Sequence, residues 1–180
     1  MDKILDFSKK QIKERIKECD IAIDATLGRG NDSLFLSGIA KKVYAFDIQD
    51  EAIEYSRELF KNNKIDNVTI IKDSHENIAN YISNCDIVMF NLGYLPKGDK
   101  SITTMSTSSL KAIKEAIRLI NYKGILSIIF YPGCPSGKEE VDIIIDYLKE
   151  LNQKEFDVIK YDFINQINNP PFCVLIERIK

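Results

Sequence analysis

Phe156-Asp157-Val158-Ile159-Lys160-Tyr161-Asp162-Phe163 and Phe172-Cys173-Val174-Leu175-Ile176-Glu177-Arg178 close the chain as two strands with no helix between them. Both are rich in β-branched and aromatic residues. Asn165 through Pro171, between them, carries asparagines and a Pro-Pro pair and reads as a turn. Two strands joined by a turn pair antiparallel. Upstream the pattern is different. Ile21-Ala22-Ile23, Val43–Phe46, Val68–Ile71, Asp86–Phe90 and Ile125–Tyr131 are short apolar strands. Amphipathic segments separate them: a helix from an Asp32 cap to about Ala40, one over 50–62, a short one over 76–82, then 107–120 and 137–151. Strand–helix alternation requires a mainly parallel sheet with helices on both faces. The predicted fold is therefore α/β, a seven-stranded, mostly parallel sheet ending in an antiparallel C-terminal hairpin.

The 180 residues fit a single domain over 1–180, with residues 1–18 as an amphipathic N-terminal helix packed on it. The chain is 44% hydrophobic and 29% charged, an ordinary globular balance. A net charge of -2 gives no global basic field, so any polyanion has to be gripped by a local patch. No apolar run approaches the roughly 20 residues of a membrane span, and the N-terminus lacks a secretory signal. A cytoplasmic protein with no membrane partner is expected. Cys19, Cys85, Cys134 and Cys173 are scattered, form no CxxC pair, and have only His75 for company. That pattern predicts reduced thiols and no metal site.

Sheets of this kind bind ligands beyond the carboxyl ends of their strands. The first such end is Asp24-Ala25-Thr26-Leu27-Gly28-Arg29-Gly30. Its glycines allow a tight turn and close backbone approach. A dinucleotide site wants Gly-x-Gly-x-x-Gly, but Ser33 stands where the third glycine belongs. The loop resembles instead the acid-x-x-x-Gly-x-Gly turn of Rossmann-like class I methyltransferases, whose sheet also carries one reversed strand. That resemblance covers the chain from about residue 18 onward and implies S-adenosylmethionine as cofactor. Asp47 ends the second strand at the spacing, about 20 residues beyond the loop, of an acid that accepts ribose hydroxyls; the alternative is a helix-flanking aspartate. Gln49 lies beside it. Asp73 and Ser74 end the third strand, where an acceptor for the adenine amine is needed. His75 either orients cofactor or substrate or caps a helix.

Asn91-Leu92-Gly93-Tyr94, at the end of the fourth strand, resembles the Asn-Pro-Pro-Tyr signature of amine-directed methyltransferases, with Leu92 and Gly93 in place of the prolines. Read without that resemblance, it is an ordinary strand–helix loop. Further blocks sharpen the likeness: Ala45-Phe46-Asp47-Ile48-Gln49, Ser74-His75-Glu76, Leu95-Pro96-Lys97-Gly98-Asp99-Lys100, Tyr131-Pro132-Gly133 and Asn168-Asn169-Pro170-Pro171-Phe172. Together they resemble the small bacterial rRNA methylase family over nearly the whole chain. Cys134 departs from that family's pattern, which has histidine there.

The resemblance implies methylation of the 5-aminomethyl group of wobble 5-aminomethyl-2-thiouridine in tRNA, by a homodimer. It assigns cofactor contacts to Asp24, Thr26, Gly28, Gly30, Asn31, Asp32, Asp47, Gln49, Ser74, His75 and Asn91. It assigns catalysis to Asn91 and Tyr94, and substrate contacts to Tyr94, Lys97, Lys100, Tyr131, Asn165 and Asn169. Asn91 accepts an N–H of the amine and Tyr94 packs on the uracil. Lys111, Lys114, Arg118, Lys123 and Lys138 either contact phosphates or are solvated charges. Ser101–Thr104 is a candidate lid. The rival functions are methylation of rRNA or a small amine, a nicotinamide-dependent oxidoreductase, and a Rossmann module that only binds proteins.

Overall fold

The structure is a computed structural model that describes residues 2–92, 106–133 and 137–180. Its elements run α1 (Ile4–Arg15), β1 (Cys19–Asp24), α2 (Asn31–Ser37), β2 (Ala40–Asp47), α3 (Asp50–Asn62), β3 (Val68–Lys72), a 3-10 segment (His75–Asn80), β4 (Cys85–Leu92), α4 (Ser106–Leu119), β5 (Ile120–Phe130), α5 (Gly137–Lys149), β6 (Phe156–Tyr161) and β7 (Phe172–Arg178). The strands form one seven-stranded sheet in the order β3-β2-β1-β4-β5-β7-β6. The first five pair in parallel, whereas β7 is antiparallel to both β5 and β6. This is the architecture expected from the alternating pattern and the closing hairpin.

Successive side chains on a strand face opposite sides of the sheet, and the apolar residues obey that period. On β4, Ile87 and Met89 join the layer beneath α1 and α2, with Ile4, Ile12 and Leu36. Val88 and Phe90 join the layer beneath α4 and α5, with Ala112, Ile113, Ile144 and Leu148. On β7, Cys173 and Leu175 go to the first layer, and Phe172, Val174 and Ile176 to the second. A smaller patch, Leu27, Ala45, Ile53 and Phe60, lies beneath α3. α1 buries Ile4, Ser8 and Ile12, one stripe at four-residue spacing. The buried Ser8 hydroxyl is satisfied by that of Ser127 on β5, 2.6 Å away.

Several local expectations change. Asp32 is not the cap of α2. Gly30, left-handed at φ 75, occupies the cap position without a side-chain bond, and Asp32 falls in the first turn. A glycine entering the helix this way leaves the Asp32 carboxylate for other partners. α2 also ends at Ser37, short of Ala40, which already belongs to β2. The short helix after β3 is a 3-10 segment, with the Ser74 hydroxyl accepting from the Glu76 amide. β5 begins at Ile120, directly after α4, rather than at Gly124–Ile125. Ile120 pairs with Cys85, and the register then shifts so that Ile125 pairs with Ile87. Gly124 sits in that irregularity: a Cβ there would meet Ile120 Cγ1 at 2.6 Å and the Asp86 carbonyl at 2.8 Å. Its glycine marks a bulge, not a strand start.

From β1 the chain winds outward through β2 and β3, and from β4 it winds the other way. The carboxyl ends of β1 and β4 therefore flank the switch point, where open α/β sheets hold ligands. Asp24 and Asn91 lie at those two ends.

Candidate active site

The loop after β1 is held by its neighbours' backbones. The Ala25 amide donates to the Met89 carbonyl on β4 at 2.9 Å, and the Leu27 amide to the Phe46 carbonyl on β2 at 2.9 Å. Gly28 and Gly30 both have positive φ, 48 and 75, which is easy only without a Cβ. The Ser56 hydroxyl on α3 donates to the Gly28 carbonyl at 3.1 Å. Helix α3 approaches so closely that a Cβ at Gly30 would lie 2.9 Å from Ser56 Oγ and 3.1 Å from the Phe60 ring.

Asp24 is fully buried beneath this loop. Its carboxylate accepts from the Thr26 amide at 3.1 Å and from the Ser33 hydroxyl at 2.7 Å. Burial, and then the charge of Asp32, push its carboxyl up to about 7, and hydrogen bonds from the Ser33 hydroxyl and the Thr26 and Ser33 backbone only partly oppose that. Asp24 therefore shapes the loop from below. Asp47, at the end of β2, accepts the Gly28 amide at 2.9 Å on one oxygen and the Gln49 amide at 3.0 Å on the other. A carboxylate offers about four acceptor sites, so Asp47 has capacity for hydroxyl donors.

Asn91 ties the two strand ends together. Its backbone amide donates to Thr26 Oγ1 at 2.7 Å. Its side-chain Nδ2 donates to Asp32 Oδ2, and Asp32 Oδ1 pairs with Lys9 Nζ of α1 at 2.7 Å. This fixes the sense of the amide, since the opposite flip would set an oxygen against a carboxylate. Oδ1 is left as an acceptor, with the Tyr131 hydroxyl donating to it at 3.4 Å. Burial, then Asp32, raise the Tyr131 phenol's pKa, so it stays a donor at neutral pH.

His75 lies edge-on to Phe90, with ring centroids 5.9 Å apart. A bond to the Ala25 backbone favours its charged form, but burial outweighs it and lowers the pKa. Its Nε2 is sealed from solvent and has no hydrogen-bond partner among the described residues. Asp73 is already engaged by the Ser74 amide, Asn77 and Tyr81. The Ser74 hydroxyl caps the 3-10 segment. Asn31, the first residue of α2, is exposed.

Asn169, at φ 45, is on the β6–β7 connection, whose backbone abuts the turn after Tyr131: its carbonyl would lie 3.5 Å from a Cβ at Gly133. Asn165 is exposed on the same connection. Tyr94, Lys97, Lys100, the candidate lid Ser101–Thr104 and Cys134 lie outside the described residues. The sequence reading missed Lys9, Ser33 and Ser56. No local pattern marks them, because each acts on a residue brought close only by the fold.

The loop, the two strand ends and the sheet order are those of a methyltransferase, and similarity to known proteins agrees. The family described as “Putative rRNA methylase” matches residues 43–177. The chain belongs to this family. It is 32% identical over 178 residues to the chloroplastic tRNA (mnm(5)s(2)U34)-methyltransferase of Arabidopsis thaliana, a match covering 91% of this chain. The chain spans 65% of that relative's length. A Clostridium thermocellum protein described as an rRNA-methylase superposes with a TM-score of 0.96 at 41% identity, covering 99% of each chain. A Streptococcus mutans protein described as a methyltransferase, solved in complex with SAH, gives 0.92 at 40% identity, again covering 99% of each.

The chain is thus an S-adenosylmethionine-dependent methyltransferase domain. Its residues suit that cofactor. Asp47, whose carboxylate receives the Gly28 amide, places negative charge at the loop, which favours a cationic sulfonium. The spare acceptor capacity of Asp47 suits ribose hydroxyls.

Proposed function

We propose that this domain methylates a primary amine on RNA, namely the 5-aminomethyl group of wobble 5-aminomethyl-2-thiouridine in tRNA. The observation that carries this reading is the oriented Asn91 amide. Its nitrogen is committed to Asp32, so its oxygen faces outward as an acceptor at the end of β4. A primary amine has N–H groups to donate to such an oxygen. The plant relative's name supports the same substrate.

S-adenosylmethionine, when bound, supplies an electrophilic methyl group and leaves as a neutral thioether. The protein's task is to place the amine nitrogen within about 3–3.5 Å of that carbon and on axis. An alkylamine has a free pKa of about 10 and arrives mostly protonated. Partial burial at the mouth of the site and a neighbouring positive charge both favour the neutral form with its lone pair. Asn91 Oδ1 then holds one N–H and aims that lone pair, and the tertiary network through Asp32 keeps the oxygen in place. The arriving ammonium releases its proton to water as the amine enters, and transfer leaves the product as a secondary ammonium, so the transfer itself needs no strong base. Asp47 and the Gly28–Gly30 turn hold the cofactor. Tyr94, Lys97, Lys100, Tyr131, Asn165 and Asn169 serve the RNA.

Incubating the purified protein with S-adenosylmethionine and tRNA carrying the aminomethyl group, followed by nucleoside mass spectrometry, tests this. The methylaminomethyl nucleoside should appear. The family's own description favours rRNA as a second reading. With rRNA supplied in a parallel incubation, methylated rRNA and unchanged tRNA would replace the first reading with the second.

A further inference from the structure

We propose that Lys9, on the N-terminal helix, is a positioning residue for methyl transfer, acting through Asp32 on the Asn91 amide. The inference rests on the reading of Asn91 as the acceptor of the target amine.

Its basis is a continuous chain of contacts. Lys9 Nζ lies 2.7 Å from Asp32 Oδ1, and Asp32 Oδ2 receives Asn91 Nδ2. The two Asp32 oxygens thus have different partners, one cation and one amide. With Lys9 on Oδ1, Oδ2 stays turned to Asn91, and the amide plane follows. The Lys9–Asp32 pair is also unlike the other ion pairs of the described residues. Its side chains are 26% and 9% exposed, whereas those of Lys41–Asp20 are 79% and 76% exposed. A pair shielded this way is less screened and holds its geometry better than a surface pair.

The fold gives Lys9 little freedom to be elsewhere. Its neighbour Ser8 is buried and bonded to Ser127 on β5. Phe7 stacks on Tyr161 with ring centroids 3.8 Å apart. These contacts set the rotation of α1 and direct residue 9 toward the start of α2. There the Lys9 ammonium also lies over the Phe35 ring, 5.5 Å from its centroid. Two carboxylates, Asp24 and Asp32, sit within one short stretch, with Asp24 feeling the charge of Asp32. Of that pair, Lys9 is bonded to Asp32. Without it, Asp32 is free to rotate toward any other donor, and the amide loses its reference.

The test uses Lys9→Met, Lys9→Gln and Lys9→Arg in the full chain, each alone and with Asn91→Ala. The first readout needs no substrate: the side-chain NH2 signals of Asn91 in a nitrogen-15 NMR spectrum, assigned by their loss in Asn91→Ala. Lys9→Met and Lys9→Gln should move them toward the position of a free amide, while Lys9→Arg keeps them. The second readout is methylation. Lys9→Met should lower kcat about 10-fold to 100-fold with KM for the RNA little changed, Lys9→Arg should recover most of it, and Lys9→Met should add nothing in the Asn91→Ala background.

Unmoved Asn91 signals in folded Lys9→Met and Lys9→Gln overturn the proposal. So does a kcat loss that persists in Asn91→Ala, or a rise in KM alone, which would make Lys9 a phosphate contact instead. If the signals move but the wild type leaves the aminomethyl nucleoside unmethylated, the substrate reading fails and the coupling of Lys9 to Asn91 stands.

Discussion

Asp32 receives the side-chain amide of Asn91, so a residue in the first turn of α2 decides which way the amide at the end of β4 points. The expected consequence is a separation of binding from chemistry. Asn91→Ala removes the outward acceptor and should lower kcat by roughly 100-fold, the scale at which misplacement of a reacting group is felt. Affinity for S-adenosylhomocysteine, measured by calorimetry, should change much less. Asn91→Asp should be at least as damaging, because it places a second carboxylate against Asp32. Comparable losses of affinity and rate would make Asn91 a cofactor ligand first.

Gly30 is the position where the cofactor turn meets α3. Gly30→Ala must adopt φ 75 and put a Cβ 2.9 Å from Ser56 Oγ. Strain plus overlap should cost on the order of 1–3 kcal/mol, read as a shift of the urea unfolding midpoint. Adding Ser56→Ala removes the overlapping oxygen and should return part of that stability. The backbone strain will persist.

Asp47 holds the Gly28 amide and retains acceptor capacity. Asp47→Ala should weaken S-adenosylhomocysteine binding by roughly 10-fold or more, the equivalent of one charge-assisted hydrogen bond. Adenosine, which shares the ribose, should lose affinity in the same proportion in a competition assay. Methionine should not.

Asp24 should make stability depend on pH. Its folded carboxyl is raised from 3.8 to about 7 by burial and by Asp32. The folded state therefore binds a proton that the unfolded chain releases, and the stability this gives is full below about pH 3.8 and is lost as pH rises through about 7. Asp24→Asn carries no such proton. Thermal unfolding at about pH 5.5 and about pH 8.5 should show a smaller fall in Tm for Asp24→Asn than for the wild type. Equal falls would show that Asp24 is not the titrating group.

The sheet and its two faces were legible because periodicity is local. The continuous apolar runs of β4 and β7, and the helical stripe of α3, are written into consecutive residues. The cofactor turn was legible for a similar reason: Gly28 and Gly30 announce a backbone that side chains would obstruct. The chemistry around Asn91 was only half legible. Its place at a strand end followed from the pattern, but its orientation depends on Lys9 and Asp32. Those residues meet through the docking of α1 on the sheet, which no short-range spacing records. Asp32 departs from the capping expectation because a left-handed Gly30 already starts the helix, which puts the aspartate in the first turn. Gly124 misled in the same way, marking a crowded bulge inside β5 rather than its beginning.

The main-chain bonds from Ala25 to Met89 and from Leu27 to Phe46 imply something about the heat of cofactor association. Restricting one residue's backbone costs about 1–2 kcal/mol of entropy. Between Asp24 and Gly30 that ordering is completed when the sheet assembles, before any ligand arrives. Cofactor association should therefore lack the large compensating enthalpy and entropy that accompany a disorder-to-order transition. Side chains complete the anchoring: Asp24 receives the Thr26 amide, Asp47 the Gly28 amide, and Thr26 Oγ1 the Asn91 amide. A relative that kept the two glycines, Thr26 and the acids at the strand ends would keep the same mould for the ligand.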